Sequence, residues 1–240
     1  MSSSEPLPPP QDGRPGLLFV VEGLDRSGKS SQCQRLYENI TAQGRKARYV
    51  KFPDRTTPTG VMINSYLTSK TQQDDHSIHL LFSANRWEAI KGIERDLDAG
   101  VDVIVDRYSF SGAVYSAAKA NPDLSLEWAW SPEIGLLKPD MLLFLDISPD
   151  DAAKRGNYGE ERYETEMMQL RVRTLFKNLF SRLDNVAVEI IDAGQAMDKV
   201  TNDILAVVNG KNRSVLQERT RKKLGALLPE MIASKSESLS

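Results

Sequence analysis

Short apolar runs alternate with longer amphipathic stretches along most of the chain. Residues 17–21, 47–52, 101–105, 141–147 and 186–191 each have strand length, and their apolar positions run on rather than alternate. Continuous hydrophobicity of this kind predicts strands covered on both faces, as in a parallel sheet. The intervening segments are long enough for crossover helices. Cys33, Leu36, Tyr37 and Ile40 fall at i, i+3, i+4 and i+7 on one helix face, and Gly44 supplies the stop. Residues 75–87 carry a second helical pattern. Strand and helix in repetition predict an α/β fold, a doubly wound five-stranded parallel sheet flanked by helices. Ligands of such sheets gather beyond the carboxyl ends of the strands, so the candidate chemistry is sought there.

The two ends of the chain read differently. Residues 1–15 are rich in Ser and Pro, and residues 231–240 are polar. Neither segment can bury enough apolar area to offset its ordering entropy, so both are expected as tails of one domain spanning 16–230. Between them, 40% apolar and 27% charged residues suffice for a core. No apolar run approaches the roughly 18 residues of a membrane span, so no membrane partner is expected. The 31 Lys+Arg against 33 Asp+Glu leave a net charge of −2, too balanced for a general nucleic-acid binder. Cys33 is the one cysteine, which excludes an intrachain disulfide framework and a cysteine-based zinc site. With no signal-like start, the expected location is reducing and cytoplasmic, with a nuclear pool left open. The basic stretch 211–223 is expected as a solvated terminal helix.

Directly after the first apolar run stands Gly23-Leu24-Asp25-Arg26-Ser27-Gly28-Lys29-Ser30, a full match to the phosphate-binding pattern G-x-x-x-x-G-K-[ST]. Its glycines let the backbone turn tightly and aim N–H groups at phosphate oxygens, and the helix that follows adds its dipole. Lys29 reaches toward β- and γ-phosphates, and the Ser30 hydroxyl suits Mg²⁺. Asp25 and Arg26 put a carboxylate and a guanidinium beside the phosphates, where a fixed positive charge stabilises a phosphoryl group in transfer. The third run ends in Asp106-Arg107. An acid there is placed to hold Mg²⁺ through water, and Arg107 enters the same crevice as a phosphate clamp; the alternative is an ion pair between these two neighbours. Arg55, in Phe52-Pro53-Asp54-Arg55, stands at the rim and alone reads as a surface residue. Phe82 and Arg86 lie four apart on one helix face. A ring and a planar fork there can stack a base and bond its carbonyl, or be a core Phe beside a salt-bridged Arg. His76 and His79 lack further ligand partners and read as ordinary polar helix residues rather than metal ligands. The Asn-Lys-x-Asp motif of a guanine-specific GTPase does not occur.

Four ordered blocks, residues 19–30, 52–55, 79–87 and 105–112, together resemble the eukaryotic branch of the thymidylate kinase family, over about residues 16–229. The resemblance implies a P-loop kinase fold with a lid at about 151–163, and phosphoryl transfer from ATP-Mg²⁺ to dTMP giving dTDP and ADP. It implies that Gly23, Asp25, Arg26, Ser27, Gly28, Lys29, Ser30 and Ser31 surround the ATP phosphates, and that Asp192 and Gln195 lie beside adenine. For dTMP it implies Phe82 stacked on thymine, Arg86 on a thymine carbonyl, and Asp25 at the 3′-hydroxyl. Arg55 and Arg107 would hold the monophosphate, with Phe52, Ser111, Gly112, Tyr115 and Tyr163 completing the pocket and Tyr115 crowding a 2′-hydroxyl. Catalysis is assigned to Arg26, Lys29, Asp106 and Arg107, and the metal to Ser30 and Asp106. Bacterial members carry their catalytic arginine in the lid. Here Arg26 occupies the loop, with Arg155 and Arg162 as candidate helpers. The family also implies a homodimer. A deoxynucleoside kinase is the rival enzyme, but it needs a base for a sugar hydroxyl, and paired clamps such as Arg55 and Arg107 argue against it. A non-catalytic nucleotide sensor is the other rival; Lys29, Arg26 and Asp106 are the residues it would be expected to lack.

Overall fold

A computed structural model of the chain describes residues 15–155, 162–163, 165–184, 186–210 and 221–230. Its sheet comprises β1 (Leu18–Gly23), β2 (Ala47–Lys51), β3 (Asp102–Asp106), β4 (Met141–Asp146) and β5 (Val188–Asp192). All pairings are parallel, in the order β2-β3-β1-β4-β5. Around it pack α1 (Lys29–Ala42), α2 (Pro58–Leu67), α3 (Asp75–Asp98), α4 (Ser109–Ala117), α5 (Leu126–Trp130), α6 (Pro149–Ala153), α7 (Glu166–Ser181) and α8 (Met197–Gly210). The doubly wound reading of the apolar runs is the observed fold.

Burial follows position in the sheet. The central strands β1 and β3 are buried throughout, and β4 nearly so. The edge strands β2 and β5 are only half-covered, with Ile190 67% exposed. Their apolar runs carry Arg48, Lys51 and Glu189 because one side of an edge strand meets water. Parallel register sets Val21 of β1 beside Asp106 of β3. The loop after Gly23 therefore starts next to the carboxyl end of β3, where the winding changes direction and a crevice opens.

Local signals explain the helix ends. The helix α1 begins at a left-handed Gly28 and buries Cys33, Leu36 and Ile40, with Tyr37 at its margin. Its chain then turns at Gly44, φ 77°. The Asp74 side chain accepts the N–H groups of His76 and Ser77 and so starts α3. At 24 residues, α3 is about 36 Å long and runs from the crevice to the back of the molecule.

Two expectations are corrected. Residues 221–223, expected as part of a solvated helix, are extended instead: Lys223 bridges Leu137, and Leu224 exchanges backbone bonds with Gly135 and Leu136. Burial of Leu224 and ion pairs from Arg221 to Asp98 and from Lys223 to Glu94 draw this strap onto the body. The rest of that stretch, 211–220, lies outside the described residues, as do 1–14 and 231–240. The second is His79, read as an ordinary polar helix residue, which lies in the helix but is wholly buried. Its Nδ1 sits 2.7 Å from Ser116 Oγ, and Trp128 presents its ring at 5.5 Å. No described helix is long and apolar enough to cross a membrane.

Burial, with the Arg86 charge adding to it, pushes the His79 imidazole down to about 3 from an ordinary 6.5. Below pH 6.5 the unfolded chain therefore binds a proton that the folded one refuses. This contribution to stability is complete above 6.5 and is lost progressively as the pH falls toward 3. Chemical denaturation at pH 7 and pH 5 should show a drop in the wild type that His79→Gln largely removes.

Candidate active site

The phosphate loop is shaped by two glycines at positions where a side chain does not fit. Gly23 has φ 150°, and a Cβ there would stand 2.6 Å from the Leu145 carbonyl oxygen; Gly28 has φ 91°. Arg26 and Arg107 are non-glycine residues with left-handed backbones, φ 62° and 66°. Such conformations cost about 1–3 kcal/mol and collect at functional sites. Inside the loop, the Lys29 ammonium donates to the Leu24 carbonyl and to Ser27 Oγ at 3.3 Å. Burial, reinforced by the Arg107 charge, pushes Lys29 down to about 7.

Beside the loop, Ser30 Oγ donates to Asp106 Oδ2 at 2.5 Å, and the Tyr49 hydroxyl donates to the same oxygen at 2.8 Å. The other oxygen, Oδ1, is buried without a hydrogen-bond partner among the described residues. A hydroxyl and an unpartnered carboxylate oxygen at the mouth of a phosphate loop suit Mg²⁺, which takes few protein ligands and keeps several waters. Among the described residues no three His, Cys, Asp or Glu cluster as metal ligands.

The crevice deepens into a cavity of about 350 Å³ that joins the loop to the far helices. Asp25, Arg26, Gly28, Lys29, Ser30, Ser31, Asp106 and Arg107 line one end. Phe52, Arg55, Phe82, Arg86, Ser111, Gly112, Tyr115 and Tyr163 line the rest. Gly23 and Ser27 belong to the loop itself. Asp192 and Gln195 do not reach the cavity: Asp192 Oδ1 caps Gly194 N in a turn after β5, and Gln195 bonds the Asp192 carbonyl. Arg155 connects that turn to the loop by donating to the Ala193 carbonyl at 2.6 Å and to the Arg26 carbonyl at 2.9 Å. Arg162 instead lies over the Tyr66 ring, 4.2 Å from its centre. Of the expected lid, 151–163, residues 156–161 lie outside the described residues.

Phe82 and Arg86 are packed and paired as the second alternative expects, and both also line the cavity. Phe82 is half-buried against the small cluster of Ile63, Tyr66, Leu67 and Ile78, and still faces the cavity. Arg86 is buried in a two-pronged pair with Glu133, at 2.7 and 2.6 Å, and also lines the cavity. Gly112 makes room for it, since a Cβ there would stand 2.4 Å from Arg86 Nη2. Arg107 does not pair with its neighbour Asp106. It reaches across to the Asp25 carboxylate and to Ser111 Oγ at 3.2 Å, with its guanidinium 5.2 Å from the centre of the Tyr115 ring. Asp25 also accepts from Tyr115 at 3.0 Å and from Gln169 at 2.8 Å. Burial acts to raise the Asp25 carboxyl, but the charges of Arg107 and Lys29 outweigh it and hold the group below the usual range. Arg55 stands exposed at the rim and donates to Asn64. Tyr163 packs 5.9 Å from Tyr115.

Several supporting residues have no signal in local spacing. Glu133 lies 47 positions from Arg86, and Gln169 lies 144 from Asp25. Glu22 is buried beneath α4 and accepts the N–H groups of Tyr108 and Ser111 together with the Ser111 hydroxyl. Burial raises its carboxyl despite those bonds. Asn85 clamps the Asp54 backbone from both sides, at 2.7 and 3.1 Å, and so sets the loop that carries Arg55.

The family model described as thymidylate kinase matches residues 21–204. Thymidylate kinase of Danio rerio is 46% identical over 191 residues, covering 80% of this chain and 89% of that one. The human thymidylate kinase is 42% identical over 214 residues, covering 89% and 98%. A solved thymidylate kinase structure from Candida albicans aligns with a TM-score of 0.76 at 35% identity, covering 88% of this chain and 98% of that one. A phosphate loop facing a cavity is consistent with many nucleotide-using enzymes, and these likenesses decide among them: the chain belongs to the thymidylate kinase family, enzymes that transfer a phosphoryl group from ATP to dTMP and so form dTDP.

Proposed function

We propose that the two nucleotides meet head to head in this cavity, dTMP between Phe82 and Arg107 and the ATP phosphates in the loop of residues 23–30. The observation that carries this reading is the buried Arg86–Glu133 pair. It fixes a planar fork on the cavity wall, and fixed donors discriminate between bases better than mobile ones. Phe82 then offers a face for the pyrimidine. Arg107, anchored on Asp25, keeps further N–H groups for the monophosphate, and Arg55 closes the rim. Asp25 and Tyr115 meet the sugar. Phe52, Ser111, Gly112 and Tyr163 shape the walls, while the turn of Asp192 and Gln195, tied to the loop through Arg155, is the place for adenine.

The attacking oxygen of dTMP already lacks a proton, so no general base is required. The task of the chain is alignment and neutralisation. Lys29 turns from the Leu24 carbonyl to phosphate oxygens, and Arg26 faces the charge that develops on the transferred group. Ser30 and Asp106 are the residues to hold Mg²⁺, which when bound neutralises phosphate oxygens. Holding both nucleotides in line can contribute up to about 7–11 kcal/mol. The lid, 151–163, would close over ATP and exclude water.

The outer face of α3 supports the homodimer. Leu80, Ala84 and Trp87 lie exposed along one stripe at helical spacing, and Ile134 is exposed as well. A single buried cysteine fits a reducing cytoplasmic setting.

Nucleotide turnover with ATP-Mg²⁺ tests the base reading. Loss of the thymine methyl costs only about 1–3 kcal/mol, so dUMP should be phosphorylated measurably and dCMP hardly at all. Glu133→Gln should raise the KM for dTMP about tenfold or more and narrow the gap between dTMP and dCMP. Equal rates for all pyrimidines in the wild type would show that Arg86 does not read the base. Arg26→Gly should lower kcat by about 10²–10³ with little change in dTMP affinity; a normal kcat would move the catalytic cation to the lid. Sedimentation should find a dimer in the wild type and a monomer for Trp87→Glu.

A further inference from the structure

The carboxyl end of β2 contributes two side chains that the proposed mechanism leaves unused. Tyr49 and Lys51 are two apart on one strand, so they project to the same face. Register pairs Lys51 with Asp106 across the β2–β3 ladder. Both reach the proposed cation site. The Tyr49 hydroxyl donates to Asp106 Oδ2 at 2.8 Å, beside the Ser30 hydroxyl on the same oxygen. The Lys51 ammonium donates to Ser30 Oγ at 3.2 Å and lies 3.8 Å from Asp106 Oδ2.

These contacts divide the Asp106 carboxylate into two halves. Oδ2 is filled by two hydroxyl donors, and Oδ1 stays buried and unpartnered. A phenol on a rigid ring cannot follow a rotating carboxylate, so its bond fixes the rotation and keeps Oδ1 aimed one way. Lys51 sits differently. Its ammonium touches the two groups that a divalent cation would engage, and its side chain is 56% exposed, so it can leave for water at little cost.

We propose that Tyr49 is a positioning residue that locks the Asp106 carboxylate for its cation, and that Lys51 occupies the cation's place until the metal–nucleotide complex arrives. The proposal rests on the reading of Ser30 and Asp106 as the Mg²⁺ site. The phenol raises affinity for the divalent ion by orienting one ligand. The ammonium lowers it by engaging the Ser30 hydroxyl and by setting a like charge beside the carboxylate, which it neutralises while the site waits.

Mn²⁺ titrated into the full-length enzyme with a non-hydrolysable ATP analogue, followed by the paramagnetic resonance of unbound Mn²⁺, tests this directly. The wild type should show one nucleotide-dependent site that Asp106→Asn weakens; its absence would overturn the cation reading and this proposal with it. With that site present, Tyr49→Phe should weaken Mn²⁺ about tenfold, with dTMP affinity and thermal midpoint unchanged. Lys51→Met should tighten it roughly fivefold, the effect of removing about 1 kcal/mol of like-charge repulsion. Wild-type Mn²⁺ affinity in Tyr49→Phe overturns the positioning role, and unchanged or weaker affinity in Lys51→Met overturns the place-holding role. If Tyr49→Phe does not fold, Tyr49→His, which keeps a ring and a donor, decides the positioning role by retaining Mn²⁺ affinity where Tyr49→Leu loses it, and Lys51→Met decides the place-holding role by the sign of its shift.

Discussion

A guanidinium enclosed by protein with no anion beside it costs several kcal/mol, and this molecule encloses two beside its cavity. Arg86 is held by Glu133 and Arg107 by Asp25, each acid itself buried or half-buried. Those pairs let a chain of net charge −2 maintain a cationic crevice before any phosphate enters it. They also set the direction of each fork. An unpaired arginine would swing toward water, whereas a paired one keeps its remaining donors aimed at the cavity. The site is therefore organised in advance by two carboxylates that aim the arginines beside them.

The same restraint appears in the backbone. Arg26 and Arg107 are both held in left-handed conformations, one in the phosphate loop and one just past β3. Each follows an acid, Asp25 or Asp106, that points into the crevice. The loop and the strand end thus present an acid and then an arginine to opposite sides of one space. Parallel pairing of β1 with β3 at the centre of the sheet is what brings these two segments together.

Much of this was legible in the chain. The five apolar runs became the five strands, because burial on both faces keeps the inner residues of β1, β3 and β4 apolar, with the acids Glu22, Asp102, Asp106 and Asp146 at or next to the strand ends. The phosphate loop could be read because its chemistry needs glycines and a lysine at fixed spacing within eight residues. Phe82 and Arg86 could be read as a pair because helical spacing puts them on one face. The partners escaped for the complementary reason. Glu133, Gln169 and Glu22 act across the fold, and no periodicity links an acid on a short turn to an arginine 47 positions earlier. The strap at 221–230 escaped too, since its basic residues match a solvated helix as well as they match the acids Glu94 and Asp98. Only the burial of Leu224 against Leu136 and Leu137 separates the two.

That strap has a consequence for how the enzyme is made. It pairs with Gly135, Leu136 and Leu137, which begin two residues after Glu133, and Trp130 donates to the Gly225 carbonyl just before them. The sheet, the phosphate loop and α3 all precede it in synthesis, so a growing chain can assemble its phosphate grip early. The backing behind Glu133 and Arg86 is added late, by residues 221–225. A chain that ends before residue 221 would keep the loop of residues 23–30 and lose the backbone support behind the turn that carries Glu133.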